Sequence, residues 1–471
     1  MSSPSPAGSL PNSHVDGLPV PRRYWAIAAS ILALTMSVLD STIVNVALPT
    51  LARDFHTSDA ASIWVINSYQ IAILISLLPL ASLGEIVGYR RVSQWGLGIF
   101  TASSFACAIA PNLAILSIAR IVQGLGAAGI MSVNSALVRF TYPHRMLGRA
   151  IGINAFAVAV AAAIGPTIAS AILAIAQWRW LFAVNVPIGV VTLCIALYAL
   201  PQTERSPRQL NYLGMALQAG TFALLIGGLQ SLARDTVSAL EFLEIAAGCV
   251  LGVLLFRHES ERPAPLVPFD LLRVRLFALS VATSVCSFMA QGLGLVALPF
   301  EIQRVGHSAA ATGLLMTPWP VGVALAAPLA GRLADRYPAG ILSSAGLVTM
   351  ALGLTLLVLL PHDGGPADLI WRMALCGVGF GFFQAPNNRT LIGSSPRMRA
   401  GAAGGMLATA RLLGQTLGAA SVAILLRAFP DRGPNISLAV AAGIAFTAAA
   451  VSVSRLSGNS NTPIPSQGLQ A

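Results

Sequence analysis

The chain has 471 residues, of which 55% are hydrophobic and 10% carry a charge. Because soluble domains carry about 25% charged residues, this composition excludes a set of water-exposed domains and indicates a membrane protein. The net charge of +11 would favour a nucleic-acid partner in a soluble protein, but all 28 basic residues are arginines dispersed between apolar segments, so we expect no nucleic-acid-binding surface.

Fourteen apolar stretches are each long enough to cross a bilayer as a helix, which needs about 20 residues. In chain order they are 24–48, 62–83, 92–110, 113–137, 148–175, 180–200, 210–232, 240–257, 276–301, 310–331, 339–360, 369–391, 403–426 and 435–455. Only Pro111 and Asn112 separate the third stretch from the fourth, and the seventh and eighth are the hardest to delimit. We predict an all-α polytopic membrane protein with fourteen spans, with twelve as the alternative.

The arginines predict the orientation of these spans. With the N-terminus inside, 18 arginines fall in inner segments and 7 in outer loops, and such an excess is typical of cytoplasmic loops. An even number of spans then places both termini in the cytoplasm. We expect the protein to lie in the inner (plasma) membrane. The polar segment 1–23 predicts a disordered tail, and 456–471 a second cytoplasmic tail.

An internal repeat divides the chain into halves. Arg120 precedes Arg372 by 252 residues, and Gly165 precedes Gly414 by 249. The repeat predicts two six-helix bundles, 24–200 and 276–455, joined by a segment 201–275 that carries two inserted helices. Duplicated halves with a site near the membrane midplane are typical of secondary transporters.

The sequence offers little for catalysis or cofactor chemistry. The five cysteines lie inside apolar stretches without CxxC spacing, and the six histidines are scattered. Without lysine, the chain has no GxxxxGK[ST] phosphate loop for ATP. We therefore expect that the protein is not an enzyme and that it binds no cofactor or metal. A membrane enzyme or an assembly scaffold is the least favoured functional class.

Asp40 is the clearest functional residue among the ionisable groups in the apolar stretches. It lies 16 residues into the first stretch, or about 24 Å from its inner end at ~1.5 Å per residue. A charge inside a membrane costs about 2.5–3.5 kcal/mol on insertion scales, so it is usually functional. A carboxylate removed from water suits a group that alternately holds a proton and a cation. The alternative is a permanent ion pair with Arg120 or Arg411.

Three more ionisable residues are predicted to take part in proton coupling. Arg120 and Arg411 each head a run rich in small residues, and the alternative for both is a structural tie between helices. Glu301 ends the ninth stretch, and its alternative is an interfacial residue that reaches water.

A substrate cavity is predicted from polar and aromatic residues inside the stretches. Its predicted lining residues are Asn45, Asn67, Gln70 and Trp319. Trp319 lies between two prolines inside its stretch, where its ring could contact a flat cation through a cation–π interaction.

Several motifs together resemble the major facilitator superfamily, and within it the fourteen-span drug:proton antiporter family, over about residues 20–455. They are LDSTIVNVALP at 39–49, the Arg120, Gln123, Gly124 and Gly126 pattern, Gly165-Pro166, WRW with NVPIG at 178–189, and GRLADR at 331–336. The stretch TPWP at 317–320 and the Gly331 loop are most similar to exporters of methyl viologen and quaternary ammonium compounds.

The resemblance implies roles for some of these residues. It implies proton transfer by Arg120. Gly165 and Pro166 interrupt the fifth stretch, where proline removes a hydrogen-bond donor and kinks a helix, so we expect a hinge there, with an ordinary kink of a membrane helix as the alternative. The resemblance also implies a conformational latch formed by the loop from Gly331 to Asp335 and Arg336. The corresponding loop of the first half carries Glu85 and Arg90, with Glu85 and Ile86 where the family has Asp and Arg. Ala169 and Ser170 replace paired glycines of the family after Pro166, which questions close helix packing there.

Together the residues and the resemblance predict a proton-driven exporter of lipophilic cations and quaternary ammonium compounds. Its expected partners are these small molecules, protons and the lipid bilayer, and we expect a monomer. In the predicted cycle, protonation of Asp40 from outside displaces the substrate. The alternative is the same fold exporting a specific metabolite, such as an amino acid, a siderophore or an antibiotic made by the host.

Overall fold

A computed structural model of the chain describes residues 17–143, 146–203, 210–233, 238–260, 262, 265, 267–334, 336–360, 365–395 and 399–455. All regular elements in these residues are α-helices. The helices are α1 (Arg22–Asp54), α2 (Asp59–Ser62), α3 (Trp64–Val87), α4 (Tyr89–Ala108), α5 (Leu113–Thr141), α6 (Leu147–Ile175), α7 (Trp180–Ala183), α8 (Asn185–Ala199), α9 (Tyr212–Ser231), α10 (Ala239–Ser260), α11 (Phe269–Leu272), α12 (Arg275–Arg304), α13 (Ala309–Met316), α14 (Pro318–Leu333), α15 (Ala339–Val358), α16 (Pro366–Gly393), α17 (Ala400–Ala428) and α18 (Gly433–Val453).

The described helices form fourteen long segments that coincide with the fourteen predicted stretches. The short helices α2, α7 and α13 each continue into the next helix after a single residue, and α11 lies in the linker before α12. Twelve of the segments are long and apolar enough to cross a membrane. The other two are α4 and α16, whose polar residues lower their hydropathy. An all-helical polytopic membrane protein is therefore confirmed, and membrane crossing by α4 and α16 stays a prediction.

The internal repeat is visible in how the helices begin. Ser58 accepts a hydrogen bond from the Ala61 amide at the start of α2, and Ser308 accepts one from the Ala311 amide at the start of α13. A serine at this position satisfies an amide that has no partner inside the helix. The two caps lie 250 residues apart, as the repeat predicts.

The repeat is also visible in how the helices pack. A Cβ atom added to Gly96 of α4 would lie 2.7 Å from the Gly126 carbonyl oxygen of α5, and one added to Gly346 of α15 would lie 2.6 Å from the Gly379 carbonyl oxygen of α16. Glycine is required at these positions because the backbones approach so closely. The first half therefore packs α4 on α5 as the second half packs α15 on α16.

The inserted helices α9 and α10 pack on each other, and α9 also contacts both halves. The Asn67 amide of α3 donates a hydrogen bond to the Gln230 side chain of α9. Arg427 of α17 donates one to the Leu232 carbonyl at the end of α9. The insert is thus attached to α3 of the first half and to α17 of the second.

The two halves meet along α3 and α17 and also at the ends of α1 and α12. We call the ends of α1 and α12 the far side; the near side is where these two helices begin. Arg53 donates to the Gln303 side chain at 3.0 Å, and the Thr167 and Thr317 hydroxyls lie 2.8 Å apart. Ser170 donates to the Ala310 carbonyl. These contacts join α1 and α6 of the first half to α12, α13 and the turn before α14 in the second, and they close the far side.

Candidate proton site and substrate cavity

A buried ion pair lies inside the first half. Arg120 of α5 donates from Nη1 to Oδ2 of Asp40 in the middle of α1. Both side chains are about 1% exposed. The pair that the sequence left as an alternative for Asp40 is therefore present, and its partner is Arg120 rather than Arg411.

Two amides complete the hydrogen bonding of the carboxylate. Gln123 and Asn185 donate to Asp40 Oδ1 at 2.9 and 3.0 Å. Gln123 also accepts from Arg120 Nη1 at 2.7 Å and donates to Ser104 at 2.8 Å. Helices α1, α5 and α8 thus meet at one carboxylate that accepts three hydrogen bonds, and Ser104 of α4 holds Gln123 in place.

The guanidinium of Arg120 is held on its other sides as well. Its Nε donates to the Val65 carbonyl at 3.0 Å. Its Cζ lies 4.0 Å from the centroid of the Tyr69 ring and 5.6 Å from that of Phe182. A cation over an aromatic face is attracted by the ring quadrupole. These two rings therefore stabilise the Arg120 guanidinium in addition to the ion pair with Asp40.

This arrangement has two chemically distinct forms. With Asp40 ionised, the charges of Asp40 and Arg120 cancel and the carboxylate is fully hydrogen-bonded. With Asp40 protonated, Arg120 loses its counter-ion inside a buried site, which is unfavourable unless the helices rearrange. The cluster can therefore link one proton to a change in helix packing.

A cavity of about 210 Å³ lies next to this cluster, between the two halves. It is lined by Ser37, Val38 and Ser41 of α1, Tyr69, Gln70 and Ile73 of α3, Met131 of α5, Phe288 of α12, Gln384 and Asn388 of α16, and Gly404, Leu407, Ala408, Arg411, Leu412 and Gln415 of α17. Tyr69 belongs to both sites, because it lines the cavity, packs on Arg120 and donates from its hydroxyl to the Ser37 carbonyl at 3.0 Å. The tyrosine is thus the direct contact between cavity and ion pair.

The four residues predicted for proton coupling lie in three places. Asp40 and Arg120 form the buried pair, whereas Arg411 lines the cavity. Glu301 lies half-buried in the last turn of α12, at the far side. Sequence position alone does not separate these places, since all four residues fall within apolar stretches.

Of the residues predicted to line the cavity, only Gln70 does so; its Oε1 accepts from Thr416 at 3.2 Å. Asn67 faces the inserted helix α9 instead, and Trp319 is fully buried against Gly294 and Gly377 inside the second half. Asn45 lies one turn beyond Ser41 on α1 and is not among the lining residues. These placements share a cause: neighbouring helices decide which face of a helix meets the cavity in this arrangement.

The predicted hinge residues lie at a close approach between helices. A Cβ atom on Gly165 would lie 2.1 Å from the Thr42 hydroxyl oxygen of α1, and one on Gly313 would lie 2.4 Å from the Pro166 carbonyl oxygen. Ala169 is fully buried and Ser170 bonds across to Ala310, so this segment packs closely despite its departure from the glycine pair.

The predicted latch residues lie at the near side. Arg90 donates to the Leu197 carbonyl at the end of α8, and Glu85 is half-buried in the last turn of α3. Gly331 has no neighbour within 4 Å of an added Cβ atom, and Arg336 is exposed. Asp335 lies outside the described residues, so the second-half latch stays a prediction.

The described residues of the second half contain no copy of the ion pair. Arg372, the repeat partner of Arg120, donates to the Leu356 carbonyl at 3.1 Å. At the repeat position of Asp40, which lies 250 residues further on as for the two serine caps, the second half has the fully buried Ala290. The carboxylate–guanidinium pair is therefore a feature of the first half.

Gln123 and Asn185 belong to the motifs at 120–126 and 178–189, but no role is predicted for either from the sequence. The signal that identifies them is an uncharged amide inside an apolar stretch, which needs a polar partner in a membrane. As for metals, no three His, Cys, Asp or Glu side chains come together at one site within the described part of the chain.

A duplicated helical fold with a buried charge pair beside a central cavity defines a secondary transporter of the major facilitator type. The family model of the Major Facilitator Superfamily matches residues 30–419 and 279–468, and the chain belongs to this family.

The chain resembles characterised and uncharacterised members. It is 50% identical over 450 residues to the uncharacterized transporter YebQ of Escherichia coli K12, which covers 95% of this chain and 98% of YebQ. It is 33% identical over 416 residues to the multidrug resistance protein Stp of Mycobacterium tuberculosis, covering 86% of this chain and 76% of Stp. A crystal structure of a POT family transporter in complex with 5-aminolevulinic acid has the same fold, with a TM-score of 0.73 at 15% identity, covering 94% and 97% of the two chains.

Proposed function

We propose that this transporter is a proton-coupled exporter of lipophilic small molecules across the inner membrane, and that Asp40 is its proton-binding residue. The observation that carries the proposal is the buried Asp40–Arg120 pair, which borders the central cavity through Tyr69. The similarity to a protein named for multidrug resistance supports export of more than one compound.

In the proposed cycle, opening of the far side lets water and a proton reach Asp40. Return to the described arrangement, with the far side closed, restores the pair with Arg120 and expels the proton toward the near side. Tyr69 moves with Arg120, and so the wall of the cavity changes with the protonation of Asp40.

The energies are of the right size for this coupling. Removing one charge from a buried ion pair costs about 3–5 kcal/mol. Moving a two-state equilibrium from 1:99 to 99:1 takes about 5.5 kcal/mol. Protonation of one buried carboxylate can therefore shift most of the population between the two arrangements.

A proton and a cationic substrate can compete at Asp40, as predicted, only if the proton and the substrate both reach this carboxylate. In the described arrangement Asp40 accepts three hydrogen bonds from protein groups and is not among the residues that line the cavity. We therefore propose indirect coupling through Arg120 and Tyr69. The preference for lipophilic cations and quaternary ammonium compounds stays a prediction, and the proposed export does not depend on it.

The test uses everted membrane vesicles from cells that overproduce the protein, with an imposed pH gradient followed by a pH-sensitive dye. A compound that is exchanged for protons dissipates the gradient in vesicles with the wild-type protein. We expect Asp40→Asn to abolish this effect, because residue 40 then holds no exchangeable proton. Asp270→Asn is the matched control, since Asp270 is half-exposed in a surface pair with Arg399. Undiminished proton exchange in Asp40→Asn vesicles would sink the proposal.

A panel of test compounds distinguishes an exporter of many drugs from an exporter of one metabolite. A multidrug exporter protects cells against many unrelated lipophilic compounds and dissipates the gradient with several of them. An exporter of one metabolite responds to a single chemical class, and Asp40→Asn abolishes that response too.

A further inference from the structure

The central cavity contains one charged side chain among its described lining residues, and that charge is positive. Arg411 lies on α17 beside Ala408 and Gln415. None of the lining residues is Asp or Glu. The other polar lining groups are uncharged hydroxyls and amides.

Arg411 has no counter-ion within the described residues. Asp40 pairs with Arg120 and Asp270 pairs with Arg399, so neither of these carboxylates is available to Arg411. Arg411 forms no hydrogen bond with the described residues. Its guanidinium lies over the Phe288 ring, with 6.0 Å between the Arg411 Cζ atom and the ring centroid. The contrast with Arg120 is plain, because Arg120 has a carboxylate, an amide oxygen and a backbone carbonyl as acceptors.

A guanidinium stays protonated in proteins and carries five donors and no acceptor. Arg411 is half-buried and faces the cavity, so an anion that enters the cavity can pair with it. A planar carboxylate matches the guanidinium through two parallel hydrogen bonds, and a tetrahedral sulfonate can also present two oxygens to it. Around Arg411 the cavity also presents apolar surface from Ile73, Phe288 and Leu412. The ligand that fits this cavity has an acidic group and an apolar body.

We infer that the cavity binds organic anions, and that Arg411 is the residue that selects them by pairing with their acidic group. This inference rests on the proposed export function and assigns its substrate class. It replaces the cationic class that the sequence predicts, because a cation in this cavity meets a positive charge and no carboxylate.

The test uses the full-length purified protein in detergent and fluorescent probes that share a naphthalene ring. The probes are 2-naphthoate and 2-naphthalenesulfonate as anions, 2-naphthamide as the neutral analogue and trimethyl(2-naphthyl)ammonium as the cation. We expect the wild-type protein to bind one or both anions at least about tenfold more tightly than the amide, and the cation most weakly. This comparison needs no variant.

Substitutions of Arg411 then test whether this residue causes the preference for anions. Arg411→Gln is expected to weaken anion binding by about 10- to 100-fold and to leave the amide within about threefold. Arg411→Lys retains part of the anion affinity, because it keeps the charge but loses the two-pronged geometry. Arg427→Gln is the matched control, since Arg427 lies on the same helix outside the cavity and bonds to Leu232.

Three results would overturn the inference: a cation that binds the wild type more tightly than either anion, no binding of either anion, or equal loss of all four probes in Arg411→Gln. Proton exchange in vesicles separates this inference from the proposed function. If the cation drives proton exchange that depends on Asp40, export stands and the anion inference falls. If the anions bind as described but no probe moves protons, the anion site stands and proton-coupled export falls.

Discussion

Replacing Asp40 by asparagine removes one charge from the buried pair and leaves the other in place. Asparagine has nearly the same shape, but its Nδ2 group is a donor, and the donors of Arg120, Gln123 and Asn185 all point at residue 40. In either orientation of the amide, at least one donor faces another donor. Both members of the pair are about 1% exposed, so water does not relieve the loss.

The expected loss of stability follows from this geometry. Breaking a buried ion pair by removing one partner costs about 3–5 kcal/mol, and we expect Asp40→Asn to lower the free energy of unfolding by this amount. The double variant Asp40→Asn with Arg120→Gln leaves no unpaired charge, so it should be more stable than the sum of the single losses by about 2–3 kcal/mol.

The assay is unfolding by a denaturing detergent in mixed micelles, followed by tryptophan fluorescence for the wild type, both single variants and the double variant. Asp270→Asn serves as the control, because an exposed pair contributes only about 0–1 kcal/mol. A free energy of unfolding for Asp40→Asn within about 0.5 kcal/mol of the wild type would refute the reasoning. Strictly additive losses in the double variant would refute it as well.

Other predictions concern the contact between the halves and the close approach of helices. Gly165→Ala places a Cβ atom 2.1 Å from the Thr42 hydroxyl oxygen, so it should lower stability by about 1–3 kcal/mol; unchanged thermal unfolding in detergent would contradict the observed packing. Thr167→Cys with Thr317→Cys, made after the five native cysteines are replaced, should form a disulfide that holds the far side closed, because the two hydroxyls lie 2.8 Å apart. Oxidation should then stop transport and a reducing agent should restore it, whereas full transport by the oxidised protein would rule out opening at this contact.

The helices themselves were predictable because each apolar stretch carries its own signal. The described segments coincide with the predicted stretches, and the glycines that join α4 to α5 recur where α15 meets α16. The resemblance also identified the major facilitator superfamily, which the match over residues 30–419 confirms, whereas the fourteen-span drug:proton antiporter family within it stays a prediction.

The arrangement of side chains around the cavity was harder to predict. Asn67 and Gln70 are one turn apart on α3, yet Asn67 faces α9 while Gln70 faces the cavity. In a helix that is apolar on most sides, residue spacing does not tell which face meets which neighbour, because that depends on the other helices. The same reason applies to Asp40 and Arg411, which are both ionisable residues in apolar stretches. Asp40 is buried in an ion pair, whereas Arg411 lines the cavity.

The most direct test of the account is substrate-induced proton release from the purified protein in weakly buffered detergent solution. The wild-type protein, prepared with Asp40 protonated, should release protons when a transported compound binds and favours the arrangement in which Asp40 pairs with Arg120. Asp40→Asn should bind the same compound and release none. Equal proton release from both proteins would contradict the claim that Asp40 carries the exchanged proton.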